Sequence, residues 1–135
     1  LRFPTTMRLA ALTLTLMLAG CDVFGPGALD VSLTAEMAGD VASLQVENTG
    51  EAAAEFRPPA CAAVIEVRGD GSWRDSGYET LATCTADLVR LAPGDVSTAS
   101  IPVGGLPEGV YRFRLAVGAA ASDDMVLAVS NEVAR

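Results

Sequence analysis

The feature that most constrains this chain is a side-chain period of two. Tyr111, Phe113, Leu115 and Val117 are apolar, while Arg112 and Arg114 between them are charged. That is the pattern of a strand with one face in a core and the other in water. The same period runs through Leu29, Val31, Leu33, Ala35 and Met37, and through Leu44 and Val46 set between Ser43, Gln45 and Glu47. It returns in Ala63, Ile65 and Val67, and in Ala99, Ile101 and Val103. No helical period appears after residue 21.

Turn chemistry punctuates these runs. Gly39-Asp40, Asn48-Thr49-Gly50, Leu91-Ala92-Pro93-Gly94-Asp95 and Leu106-Pro107-Glu108-Gly109 each separate one alternating segment from the next. Asp70-Gly71 supplies the residue types of a tight hairpin turn leading to Trp73. A short strand is expected over residues 54–57, stopped by Pro58-Pro59, and a last one over 125–130, which residues 131–135 extend. Residues 75–86 read as a long loop, and Pro102 points to an edge strand. Seven or eight short strands spaced in this way predict an all-β, two-sheet sandwich over residues 28–135.

The N-terminal part is different. Met7-Arg8 is followed by an apolar run over residues 9–18, broken only by Thr13 and Thr15, and then by Leu18-Ala19-Gly20-Cys21. This resembles the lipobox of bacterial lipoprotein signals, with residues 1–20 as signal peptide and Met7 as the expected start of translation. The run of about 10 residues is half the roughly 20 that a transmembrane helix needs. The resemblance implies cleavage before Cys21 and a diacylglycerol on its thiol, leaving the domain extracytoplasmic and bound to a membrane. Each buried methylene contributes about 0.8 kcal/mol, so two or more acyl chains hold firmly. Asp22 follows the pattern that retains enterobacterial lipoproteins in the inner membrane; the leaflet stays open. Residues 21–27, with Gly25-Pro26-Gly27, read as a tether with a typical span of about 13 Å.

With Cys21 lipidated, Cys61 and Cys84 remain, an even pair in a compartment that permits disulfides. A bridge would stabilise the fold by about 3 kcal/mol. Two buried free thiols are the alternative.

Charge narrows the partners. All 9 basic residues are Arg, and removal of Arg2 and Arg8 leaves 7 of them against 17 acids, a net charge near −10. Nucleic acid and anionic lipid surfaces are repelled by such a domain. The chain has no His and no Lys, so Ser-His-Asp, Cys-His and Ser-Lys nucleophiles are excluded. Zinc would find two Cys and no His. Asp70, Ser72 and Asp75 offer oxygens to a cation but lack the ligand pattern of a calcium loop, and Asp123-Asp124 reads as a hairpin tip. Val103-Gly104-Gly105-Leu106 lacks the spacing and Lys of a phosphate loop. No metal, cofactor or catalytic residue is expected.

The order of Val46-Glu47-Asn48-Thr49-Gly50, Asp70-Gly71-Ser72-Trp73-Arg74, Leu91-Ala92-Pro93-Gly94 and Gly109-Val110-Tyr111-Arg112 resembles small bacterial immunoglobulin-like domains, among them relatives of the BsuPI proteinase-inhibitor family. The likeness spans about residues 29–117 and departs before the central hairpin, where Pro58 to Ala63, with Cys61, replaces a polar segment ending in aromatics. It implies that Tyr111 forms a tyrosine corner, its hydroxyl bonded to nearby backbone. Trp73 is a candidate for recognition, but the sandwich reading places it in the core. The expectation is a membrane-tethered, non-enzymatic protein of the cell envelope that binds another protein or an envelope component. The alternatives are a proteinase-inhibitor-like module and a structural subunit of an envelope complex.

Overall fold

Alternation converts directly into strand register in the computed structural model, which describes residues 27–80, 84 and 87–135. Cys21, the signal segment 1–20 and residues 22–26 of the tether lie outside the described residues. Strands β1 (Val31–Ala38) and β2 (Val41–Asn48) form an antiparallel hairpin with Leu33 opposite Val46 and Ala35 opposite Leu44. All four are buried. Strand β3 (Ala54–Phe56) leads to a four-residue helix, α1 (Pro59–Ala62), then to β4 (Val64–Gly69) and β5 (Ser72–Asp75). Strands β6 (Val89–Leu91), β7 (Val96–Pro102), β8 (Val110–Ala119), β9 (Met125–Val129) and β10 (Val133–Ala134) complete the described chain.

The strands form two sheets. The smaller has the order β1-β2-β7, so β7 is an edge and Pro102 sits where a missing ladder donor costs least. The larger has seven strands centred on β8. One flank of β8 pairs with β3 and β4 in succession, and the other with β9 and β10. β5 continues the sheet beyond β4, and β6 continues it beyond β3. Two antiparallel sheets so ordered make the immunoglobulin-like sandwich that the sequence predicts. The core lies between them. Leu33, Leu44, Val46 and Ile101 of the smaller sheet face Ile65, Phe113, Leu115 and Val117 of the larger, each side chain contributing about 1.5–3 kcal/mol through burial.

Four details correct the sequence reading. The described residues hold ten strands rather than seven or eight, because the short β6 and β10 pair with β3 and β8. A helix appears where none was expected: Pro59 starts α1 with a backbone angle already suited to a first turn, and Pro58 O accepts from the N–H groups of Cys61 at 2.9 Å and Ala62 at 3.1 Å. Leu91, read as part of a turn, is a buried residue of β6. Trp73, read as core, is half-buried on the outer face. Its partner in the ladder is Arg68, and a period of two leaves no choice of face once Ile65 and Val67 turn inward.

The two ends of the sandwich are built differently. At one end the N-terminal chain joins the domain: Ala28 O accepts from the N–H groups of Glu51 and Ala52, at 2.9 and 3.2 Å, and Ala120 N–H donates to Ala53 O at 2.9 Å. Gly94 N–H donates to Asn48 O at 2.8 Å at the same end. The opposite end carries Asp40, residues 103–109 and the C-terminus, where Gly109 and Arg135 exchange two backbone bonds of 3.0 and 2.9 Å.

Candidate ligand-binding pocket

A hollow of about 460 Å³ opens at the end of the sandwich opposite Ala28. That volume suits a small ligand or a segment of a protein chain. Val67 of β4, Leu106 and Pro107 give it apolar walls; Arg74, Tyr78 and Glu108 give it polar ones.

Local chemistry fixes each wall. The β4–β5 turn uses Asp70 and Gly71 at φ of 50° and 82°, both left-handed, as the tight hairpin requires. It thereby sets Arg74 opposite Val67. After β5 the chain is held by Ser76 N–H donating to Ile65 O at 2.9 Å and by Gly77 N–H donating to Asp75 Oδ1 at 2.7 Å. Tyr78 then crosses the hollow, its hydroxyl donating to Pro102 O at 3.3 Å. Gly105 gives the ring room, because a Cβ there would stand 3.0 Å from Tyr78 Cε2. The facing wall is clamped by Arg135, whose Nε donates to Leu106 O at 2.8 Å and whose guanidinium also reaches Gly104 O at 3.1 Å and Asp40 Oδ1 at 3.0 Å. Tyr111 O–H donates to Pro107 O at 2.6 Å, the geometry of a tyrosine corner.

The remaining sequence candidates serve the scaffold. Cys61 and Cys84 are bonded, with Sγ–Sγ 2.02 Å and Cα–Cα 5.6 Å, which ties α1 to the segment after Tyr78. Trp73 stacks on Arg112, whose guanidinium carbon lies 4.4 Å from the ring centroid. Arg112 Nε donates to Glu66 Oε1 at 2.9 Å, and Arg114 lies 3.8 Å from Glu66 Oε2. Asp70, Ser72 and Asp75 do not converge. Ser72 Oγ donates to Gly69 O at 3.1 Å while Asp75 accepts from Gly77, and no group of three His, Cys, Asp or Glu among the described residues is placed to hold a metal. Asp123 and Asp124 sit at the tip of the β8–β9 hairpin, where Ala119 N–H donates to Asp124 O at 2.9 Å.

Sequence reasoning missed Arg74, Tyr78, Glu108 and Arg135 as a group. Their separation in the chain hides them, and the positive φ of Gly77, at 70°, marks a turn just before Tyr78. The pocket joins a cation, a carboxylate and a phenol to apolar walls. Such a set offers hydrogen bonds, charge of both signs and apolar contact within one hollow.

No family model matches the chain, and no curated protein matches it. Among solved structures, it is similar to the structural-genomics target SoR45, with 12% identity, a TM-score of 0.41, and 82% of this chain and 85% of that chain covered. It is also similar to an ASH/PapD-like domain of human CEP192, with 14% identity, a TM-score of 0.35, and coverages of 76% and 75%.

Proposed function

We propose that this protein is a non-enzymatic binding domain of the bacterial cell envelope, anchored by lipid on Cys21 and presenting the pocket of Arg74, Tyr78 and Glu108 to another protein or envelope component. One observation carries the reading. The chain joins the sandwich at one end, and the pocket opens at the other, so an anchor on the N-terminal side leaves the pocket remote from the anchoring point.

The test has two arms. Cys21→Ser moves the protein from the membrane to the soluble fraction; a variant that still sediments with membranes overturns the anchor. A photo-crosslinking residue in place of Glu108 gives a discrete adduct in intact envelopes, and Gly105→Leu, which sets a bulky side chain against the Tyr78 ring in the pocket lining, abolishes it. An adduct indifferent to Gly105→Leu overturns the pocket. A structural subunit of an envelope complex is the second reading, favoured by the exposed apolar residues of β9. Loss of a stable complex on Leu127→Ser would distinguish it.

A further inference from the structure

Four large apolar side chains stand open to solvent on or beside the outer face of the larger sheet. Met125, Leu127 and Val129 of β9 are 68%, 57% and 42% exposed, and Leu88, just before β6, is 56% exposed. The first three share a face because they alternate on one strand. Ala116 and Gly118 of β8 lie opposite Leu127 and Met125. Their small size leaves a hollow of about 340 Å³ reaching from Met125 to Leu88, lined also by Arg57 and by Glu55, which pairs with Arg90 at 3.3 Å. The other exposed large apolar residues, Val41 and Val96, sit singly on the smaller sheet and need no partner.

The stripe starts, at Met125, near the end where the N-terminal chain joins, and runs to Val129 opposite Arg114 in the middle of β8. Met125 pairs with Gly118, the adjacent Ala119 pairs with Ala54, and Ala52, two residues before Ala54, donates to Ala28 O. Two ladder steps of about 4.8 Å and a few residues of chain put Met125 within about 20 Å of Ala28. The chain from Cys21 to Gly27 has a contour of at most about 21 Å. A bilayer that receives the acyl chains of Cys21 is therefore within reach of the stripe.

We propose that Met125, Leu127, Val129 and Leu88 form a membrane-seating face that inserts into the lipid interface beside the anchor; this rests on the lipid-anchor reading above. Arg57 and Arg114, the latter opposite Val129, place guanidinium groups at the margin of the apolar surface, at the depth of lipid phosphates. Glu55 in the hollow, Asp123 and Asp124 next to Met125, and a net charge near −10 without residues 1–20 oppose attraction to anionic lipid. Seating accordingly depends on apolar insertion and needs only zwitterionic lipid. Two points of contact, the acyl chains and the stripe, fix the tilt of the sandwich, where the acyl chains alone let it swing.

The full chain, acylated in a bacterial host and reconstituted into phosphatidylcholine vesicles with or without brominated acyl chains, tests this. Leu127→Trp in a Trp73→Phe background makes position 127 the sole tryptophan, and Val41→Trp in the same background is the control. Emission at 127 is expected to shift to the blue and to lose about half its intensity to the bromine, as for a side chain about 5–10 Å inside the headgroup boundary; the control stays unquenched. Equal emission from the two positions, in a protein that carries acyl mass and floats with the vesicles, overturns the seating face and leaves the anchor standing. A chain without acyl mass that stays in the aqueous fraction overturns both. Shielding at 127 that grows with protein concentration and ignores bromine assigns the stripe to a second copy, and also overturns the proposal.

Discussion

The side chain of Asn131 binds the backbone of Ala35 twice: Oδ1 accepts from its N–H at 2.8 Å, and Nδ2 donates to its C=O at 2.9 Å. A carboxamide carries one donor side and one acceptor side, as a peptide does, so Asn131 stands in for one rung of a ladder. The rung joins the edge of the smaller sheet to the larger sheet, where the strand paired with β8 breaks between β9 and β10. Ser130 makes the break: its N–H donates to Phe113 O at 2.8 Å, and its Oγ, rather than a backbone carbonyl, accepts from Phe113 N–H at 2.8 Å.

Asn131→Ala should lower unfolding free energy by about 1–2 kcal/mol, since Ala35 loses both partners at a partly buried edge. Asn131→Asp should recover little, because a carboxylate accepts from the Ala35 N–H but has no donor for its C=O. Urea denaturation of the soluble domain from residue 28 measures both, and wild-type midpoints would remove the bridging role.

Asn48 is 1% exposed and ties three segments together. Its Nδ2 donates to Ala52 O at 2.8 Å and Leu91 O at 3.0 Å, and its Oδ1 accepts from Gly50 N–H at 3.1 Å. Asn48→Ala strands the buried Leu91 carbonyl and the part-buried Ala52 carbonyl, a loss of about 2–3 kcal/mol. Calorimetry should show the drop, and amide exchange at residues 91–95 should accelerate with it.

Tyr111→Phe removes the bond to Pro107 O while keeping the ring in the core. The expected cost is about 1 kcal/mol, together with faster amide exchange at Leu106 and Gly109 beside the pocket. Unchanged exchange there would separate the tyrosine corner from the pocket wall.

Reduction of the Cys61–Cys84 bridge, or Cys61→Ala with Cys84→Ala, should lower stability by about 3 kcal/mol through the entropy returned to the unfolded chain. The separation of 23 residues sets that size. Guanidinium titration with and without reductant gives the difference directly.

Trp73→Ala should cost about 0.5–1 kcal/mol, the loss of its contact with Arg112. A core tryptophan would cost about 3–5 kcal/mol. Unfolding midpoints therefore report which face of the sheet Trp73 occupies.

Much of the fold was legible because it depends on near neighbours in the chain. A period of two decides which residues turn inward, and Asp70-Gly71 and Pro102 speak for a turn and an edge by backbone chemistry alone. The Cys61–Cys84 pair was legible as a bridge or two free thiols, and the structure shows the bridge. Trp73 was misplaced because a residue just past a turn belongs to either face until register is known, and one added residue reverses the answer. β6 and β10 are too short to show a period.

The sequence by itself determined the all-β class, the inward faces of the long strands, the hairpin turns and the lack of His and Lys nucleophile chemistry. Tertiary structure alone decided that Asn131 bridges the sheets, that Arg135 clamps residues 104–106, and that Arg74, Tyr78 and Glu108 line one hollow. It also decided that Met125, Leu127 and Val129 face solvent while Ala128 is buried, a choice that the unbroken apolar run of residues 125–129 leaves open. The reason is physical: alternation fixes two faces of a strand, but which face meets a second sheet depends on residues far away in the chain.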